Sequence, residues 1–134
     1  MTARNDTLDL IGRIFLALLF LGSGVSKIMD YQSVGQSMAG AGVPMVAAAL
    51  PLAIAVEIAA ALGLIFGLLT CLSALALIVY TVAATYFFHN FWAFEGQEAQ
   101  MHTIQFSKNL ALVGGLLLVV AAGAGRFSVD GRHR

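Results

Sequence analysis

The chain has 134 residues, of which 60% are hydrophobic and only 10% carry a charge. Because a soluble domain usually carries about 25% charged residues, this composition indicates an integral membrane protein. The formal net charge is zero and like charges do not cluster, which excludes the basic surface that nucleic-acid binding requires. The single cysteine, Cys71, excludes an intramolecular disulfide, a CxxC redox pair and a cysteine-ligated zinc site.

Four apolar stretches approach or exceed the roughly 20 residues that a helix needs to cross a bilayer. In chain order they cover residues 8–28, 45–69, 71–88 and 105–124. The junction between the second and third stretches is so short that these two helices should form a tight antiparallel hairpin. We therefore predict an all-α protein in which residues 1–134 form a single domain, an integral membrane four-helix bundle.

The orientation of the bundle follows from its Lys and Arg residues. An even number of spans places the connections 29–44 and 89–104 on one face of the membrane and both termini on the other. Short segments on the cytoplasmic side of membrane proteins carry an excess of Lys and Arg. The terminal side carries Arg4, Arg13, Arg126, Arg132 and Arg134, and the side of the connections carries Lys27 and Lys108. This distribution predicts cytoplasmic termini in a multi-pass protein of the bacterial inner membrane.

Glu57 is the only ionisable residue of the second span, and it lies near the middle of that span. An isolated charge at the centre of a spanning helix costs at least about 2.5–3.5 kcal/mol. Such a residue therefore faces the protein interior or a water-filled cavity, where it normally has a partner. We interpret Glu57 either as a functional group or as one half of a structural ion pair.

The first span presents one face with two cations. Arg13 and Lys27 lie about 21 Å apart along the helix axis, one near each membrane surface. Three- and four-residue spacing places them on the same stripe. The members of the stripe are Arg13, Ala17, Phe20, Gly24 and Lys27.

Polar residues of the third and fourth spans approach the same outer surface. Thr81, Thr85 and His89 follow at four-residue spacing, and Lys108 and Asn109 lie about one turn inside the fourth span. We predict an outward-facing polar pocket with Lys27 at its rim and Arg13 as the alternative partner of the buried carboxylate. Its inner members are Glu57, Lys108, Asn109 and His89.

Simpler interpretations remain for each of these residues. Lys27 and Arg13 are also typical of interfacial anchors, and His89 of a helix end at the membrane surface. The pair Lys108-Asn109 could be only the polar beginning of a helix. Because the loop carboxylates and histidines follow no tight ligand motif, we predict no metal site.

At the level of motifs, the chain resembles the DoxX family of small four-helix membrane proteins along nearly its whole length. The matching segments are Gly12-Arg13-Ile14, Phe20 to Lys27, Gly42-Val43-Pro44, the Glu57 helix as far as Gly67, Phe88-His89, Phe106 to Leu110, Gly114-Gly115 and Gly123 to Asp130. The family takes its name from an association with quinol oxidase and thiosulfate:quinone oxidoreductase systems, and some relatives join complexes for oxidative-stress defence.

The resemblance implies an accessory subunit of a membrane redox, quinone-linked or oxidative-stress system, not an enzyme by itself. It carries over no catalytic residue and establishes no cofactor. The pocket of such a subunit would hold a quinone or a small acidic ligand. The partners of the protein would be the lipid bilayer, redox-complex subunits and further copies of the chain. Two alternatives stay open: a small oligomeric permease that uses Glu57 as its titrating group, and a non-catalytic structural or assembly protein.

Overall fold

Helices account for most of residues 4–133, the part of the chain that the structure, a computed structural model, describes. Within this range the α-helices are α1 (Asp6–Met29), α2 (Tyr31–Gly40), α3 (Val46–Phe66), α4 (Thr70–Phe88) and α5 (Gly96–Ala122). All but α2 are long and apolar enough to cross a membrane. The predicted all-α architecture with four candidate spans is therefore confirmed.

Both long connections contain more helix than the sequence patterns predicted. Helix α2 lies inside the connection 29–44, and α5 begins at Gly96 instead of at position 105. Residues 96–104 are polar, but they include Gln, Glu, Ala and Met, which are good helix formers. Hydropathy marks only the apolar part of a helix, so it places the beginning of α5 too late.

Helices α3 and α4 form the tight hairpin that their spacing predicted. Gly67 ends α3 with a positive φ of 66°, and Leu69 also has a positive φ of 48°. A Cβ atom at position 67 would clash with Ser128 of the C-terminal tail. Gly67 thus serves two needs, the left-handed end of a helix and the close approach of the tail.

The tail after α5 caps the beginning of α4. Asp130 accepts hydrogen bonds from the backbone N–H of Leu69 at 2.9 Å and of Thr70 at 2.8 Å, and from the Thr70 hydroxyl at 2.7 Å. The backbone N–H of Val129 donates to the carbonyl of Phe66 at 3.0 Å. The tail therefore supplies partners for backbone groups that a helix end leaves without intrahelical bonds.

Small side chains allow the helices to pack closely in the core. The residues with no exposed surface there are Ala17, Ala61, Leu64, Ala74, Leu77 and Leu116. On α1, Gly24 lies against α3 so closely that a Cβ atom would be 2.7 Å from Cγ1 of Ile58. The close approach of α1 and α3 near Gly24 follows the use of small residues at membrane helix interfaces.

Two glycines of α1 provide a matched test of this packing. We expect Gly24→Ala to lower the stability by about 1 kcal/mol or more, since crowding a packed site costs about 1–3 kcal/mol. Gly22→Ala should be neutral or stabilising by up to about 1 kcal/mol, because its Cβ meets open space and alanine favours helix. Denaturant unfolding in detergent micelles measures both, and equal effects would contradict the tight contact.

The tail cap makes stability depend on pH. Burial opposes ionisation of Asp130, but hydrogen bonds from Thr70 and Leu69 and the charge of Arg13 outweigh it and hold the pKa of Asp130 below its usual value. A lowered native pKa adds stability above the ordinary carboxyl pKa, and this stability is lost as the pH falls through the native value.

We expect Asp130→Ala to lower the stability at neutral pH by about 1–2 kcal/mol, the cost of losing a helix cap. The difference from the wild type should shrink in strongly acidic buffer, because the wild type then loses the ionised cap as well. Thermal unfolding across pH measures this, with Glu95→Ala at an exposed carboxylate as the control. A difference that stays constant with pH would contradict the assignment.

Candidate functional site

The Glu57 carboxylate is paired with the ammonium group of Lys27 inside the bundle. Lys27 Nζ lies 2.9 Å from Glu57 Oε2, and the side chains are 21% and 1% exposed, respectively. The structure buries the α1 stripe at Arg13, Ala17, Phe20 and Gly24, which turns Lys27 towards α3. Since α1 carries the cation and α3 the anion, the ion pair joins these two helices.

Two hydroxyl groups complete the polar cluster. Lys27 Nζ donates a hydrogen bond to Ser23 Oγ at 2.7 Å, one helical turn earlier. The Tyr80 hydroxyl of α4 lies near the Glu57 carboxylate, and the Lys27 ammonium lies 5.7 Å from the centre of the Tyr80 ring. We call Ser23, Lys27, Glu57 and Tyr80 the polar cluster; it connects α1, α3 and α4.

The sequence patterns did not indicate Ser23 or Tyr80 as members of the site. Ser23 precedes Lys27 by four residues, a spacing at which side chains meet on a helix, and this signal was available. Tyr80 is harder to recognise, because a tyrosine in an apolar helix usually contributes its ring to packing.

The ion pair leaves hydrogen-bonding capacity unused. Among residues 4–133, Glu57 Oε2 makes no hydrogen bond of regular geometry, so the ammonium approaches it off the preferred direction. An ammonium group has three N–H donors, and Ser23 accepts one of them. Lys27 therefore retains a donor that a further acceptor can use.

An apolar cavity of about 500 Å³ lies beside the polar cluster. Lys27 and Tyr80 are the polar residues among those that line it, while α2, α3 and α4 contribute apolar walls. Representative wall residues are Val34, Met38, Leu52, Val56, Val79 and Phe87. A concave, mostly apolar cavity with a few polar groups is typical of a small-molecule site, and this volume is within the usual range of about 300–1,000 Å³.

Arg13 lies at the other end of the buried stripe and has different partners. Its guanidinium donates from Nη1 to the carbonyl of Leu64 and from Nη2 to the carbonyl of Phe127, each at 2.6 Å. The side chain is almost completely buried. Of the cations considered as partners for Glu57, Lys27 makes the contact, and Arg13 instead joins α3 to the tail.

The other predicted pocket residues are not gathered around Glu57. Lys108 is exposed, and Asn109 donates a hydrogen bond to Thr85 Oγ1 at 2.9 Å. His89 Nδ1 lies 3.4 Å from His102 Nδ1. Within the described residues, no group of three His, Cys, Asp or Glu side chains is arranged to hold a metal ion.

Comparison with known proteins gives a consistent result. Residues 8–90 match the DoxX family model, a range that includes Lys27, Glu57 and Tyr80. The inner membrane protein YqjF of Escherichia coli (strain K12) is 36% identical over 130 residues, which cover 97% of this chain and 95% of YqjF. The inner membrane protein YphA of the same organism is 33% identical over 130 residues, covering 97% and 93%. No solved structure matches the chain.

The family model matches more than half of the chain, and both relatives align along nearly its whole length. Their names place them in the inner membrane, and this chain has four helices suited to cross it. The chain therefore belongs to the DoxX family and is a multi-pass protein of the inner membrane.

Proposed function

We propose that the protein is an accessory subunit of a quinone-linked membrane redox system and binds a lipid-soluble ligand beside Lys27. The observation that carries this proposal is the ion pair between the buried Glu57 and the partly exposed Lys27 at the edge of an apolar cavity. Ionisable groups within a membrane are costly and commonly mark functional sites. A cavity beside such a pair offers space and a polar contact together.

The polar cluster supplies binding, not a complete redox reaction. Lys27 has a free donor for a carbonyl oxygen, and Glu57 balances its charge. Tyr80 lines the cavity and lies near the carboxylate. Electrons would have to come from other subunits, which is why we propose an accessory role and not an enzyme that acts alone.

The proposal includes cytoplasmic termini. The structure brings the arginine-rich ends of the chain together, because Arg4 donates to the carbonyl of Gly123 at 2.9 Å and the N–H of Arg126 donates to Asp6 at 3.0 Å. Lys27 lies at the far end of α1 from this cluster. Under the positive-inside rule the arginine-rich end faces the cytoplasm, and the cavity then lies in the outer half of the membrane.

A structural or assembly role is the second candidate, because the ion pair joins α1 to α3. In that case, removing either charge would reduce the amount of folded protein and the recovery of partners. The quinone content of each folded molecule would then not depend on the pair.

Purification from mild detergent tests the proposed function. We expect redox subunits and extractable quinone to accompany the wild-type protein. The double variant Lys27→Met/Glu57→Gln should retain about tenfold less quinone, since it loses a hydrogen bond to a charged donor. Both charges are removed together because an unpaired buried partner costs about 3–5 kcal/mol.

The matched control is Arg132→Met/Glu98→Gln, which removes one cation and one carboxylate from exposed positions. It should retain quinone as the wild type does. Unchanged quinone-linked respiration in a deletion strain, together with a quinone-free purified protein, would contradict the proposed function.

Cysteine labelling tests the orientation. In a Cys71→Ser background, we place single cysteines at two exposed and uncharged positions, Thr7→Cys and Gln97→Cys. An impermeant maleimide should label position 97 in intact cells and position 7 only after permeabilisation. The reverse pattern would show that the termini lie outside the cytoplasm.

A further inference from the structure

We infer that the cavity beside Lys27 binds an uncharged lipid-soluble molecule through a hydrogen-bond acceptor, such as a ketone or ester carbonyl oxygen. This inference rests on the proposed function, because it takes the same cavity as the ligand site. It adds the charge and the polar chemistry of the ligand, and it decides between a neutral ligand and an acidic one.

Charge balance argues against an acidic ligand. Lys27 and Glu57 are 2.9 Å apart and already neutralise each other within the bundle. A bound carboxylate would bring a second negative charge into the apolar cavity with no additional cation among its lining residues. Because an unbalanced charge in such surroundings costs several kcal/mol, an anion should bind poorly.

The positions of Lys27 and Glu57 relative to the cavity disfavour a cationic ligand. Lys27 lines the cavity, whereas the Glu57 side chain is only 1% exposed and is not among the lining residues. A cation in the cavity would therefore meet the ammonium group before the carboxylate. Like charges at close range repel strongly in a medium of low dielectric constant.

The available hydrogen-bonding groups define what the ligand must offer. Ser23 accepts one N–H of Lys27, and the nearby Glu57 carboxylate is a suitable acceptor for the Tyr80 hydroxyl. Since Lys27 lines the cavity, the N–H donor that remains on its ammonium group is available to a ligand there. A complementary ligand supplies an acceptor, because a second donor would leave both groups without a partner.

The walls indicate how the ligand arrives. Leu52 and Val79 line the cavity, yet 65% and 69% of their surfaces are exposed. Both lie on helices that are suited to span the membrane, so their exposed surfaces face lipid. The cavity is therefore continuous with the bilayer, and an apolar molecule can enter it from the lipid phase.

Three probes with the same hydrocarbon chain separate these contributions. Methyl laurate carries a neutral ester carbonyl, laurate carries a carboxylate, and dodecane has no polar group. We expect the delipidated protein in detergent to bind methyl laurate at least about tenfold more tightly than either other probe, as one hydrogen bond to a charged donor allows. Native mass spectrometry measures binding, and ligand-induced shifts in thermal unfolding provide a second readout.

The variant Lys27→Met/Glu57→Gln should lose this preference while still binding dodecane, since it removes the donor and keeps the cavity apolar. The control Arg132→Met/Glu98→Gln should behave as the wild type. Equal binding of methyl laurate and dodecane to the wild type would show only unspecific association with the apolar surface, without a contribution from Lys27. That result would overturn the inference. The inference would also be wrong if laurate, at a pH above the pKa of its carboxyl group, bound as tightly as methyl laurate.

A fourth probe, decylubiquinone, distinguishes this inference from the proposed function. If methyl laurate binds through Lys27 but decylubiquinone does not, the neutral-acceptor site stands and the quinone-linked role fails. If redox subunits and quinone accompany the purified protein but neither methyl laurate nor Lys27→Met/Glu57→Gln changes the quinone content, the accessory role stands and its quinone binds away from Lys27. The inferred ligand chemistry at Lys27 is then wrong.

Discussion

The ion pair between Lys27 and Glu57 constrains the arrangement of the whole bundle. A carboxylate in the middle of an apolar spanning helix requires a cation nearby, and Lys27 must reach it from α1. That contact fixes the rotation of α1, so its stripe from Arg13 to Lys27 faces the interior. It also requires α1 and α3 to approach closely, which Gly24 allows one turn before Lys27.

The opposite end of the bundle uses charges in a complementary way. Arg13 is buried against the carbonyl of Leu64 near the C-terminal end of α3, where a helix dipole favours a positive charge. Asp130 binds the N–H groups at the beginning of α4, where the dipole favours a negative charge. The hairpin turn is therefore stabilised at both helix ends by groups from other parts of the chain. Because the Arg13 guanidinium binds the carbonyls of Leu64 and Phe127, Lys27 is the cation that pairs with Glu57.

The sequence was sufficient to predict the spans, the α1 stripe and the need of Glu57 for a partner. It could not select that partner, because helix depth alone does not determine how α3 and α5 are rotated about their axes. Lys108 and Asn109 illustrate the problem. Adjacent residues on a helix point about 100° apart, so Asn109 can face Thr85 while Lys108 is exposed.

Other parts of the site lack a local signal. The Tyr80 hydroxyl lies near Glu57, but most of its neighbours in α4 are apolar and do not indicate this contact. Helix α2 forms part of the cavity wall through Val34 and Met38, although its sequence reads as a polar connection. Such contributions depend on contacts between distant segments, which one sequence does not reveal.

The neutrality of the pair has a consequence for ligand exchange in the membrane. A lone lysine facing an apolar cavity would be costly whether the site was empty or held a neutral ligand, because its charge would have no counterion. Glu57 supplies that counterion permanently, so the empty and occupied cavities carry the same net charge. Binding of a neutral ligand then adds only a hydrogen bond and apolar contacts. Because no ion pair has to form or break, the ligand can also leave the cavity readily. The accessory role that we propose, in which a lipid-soluble molecule exchanges with the bilayer, would require this property.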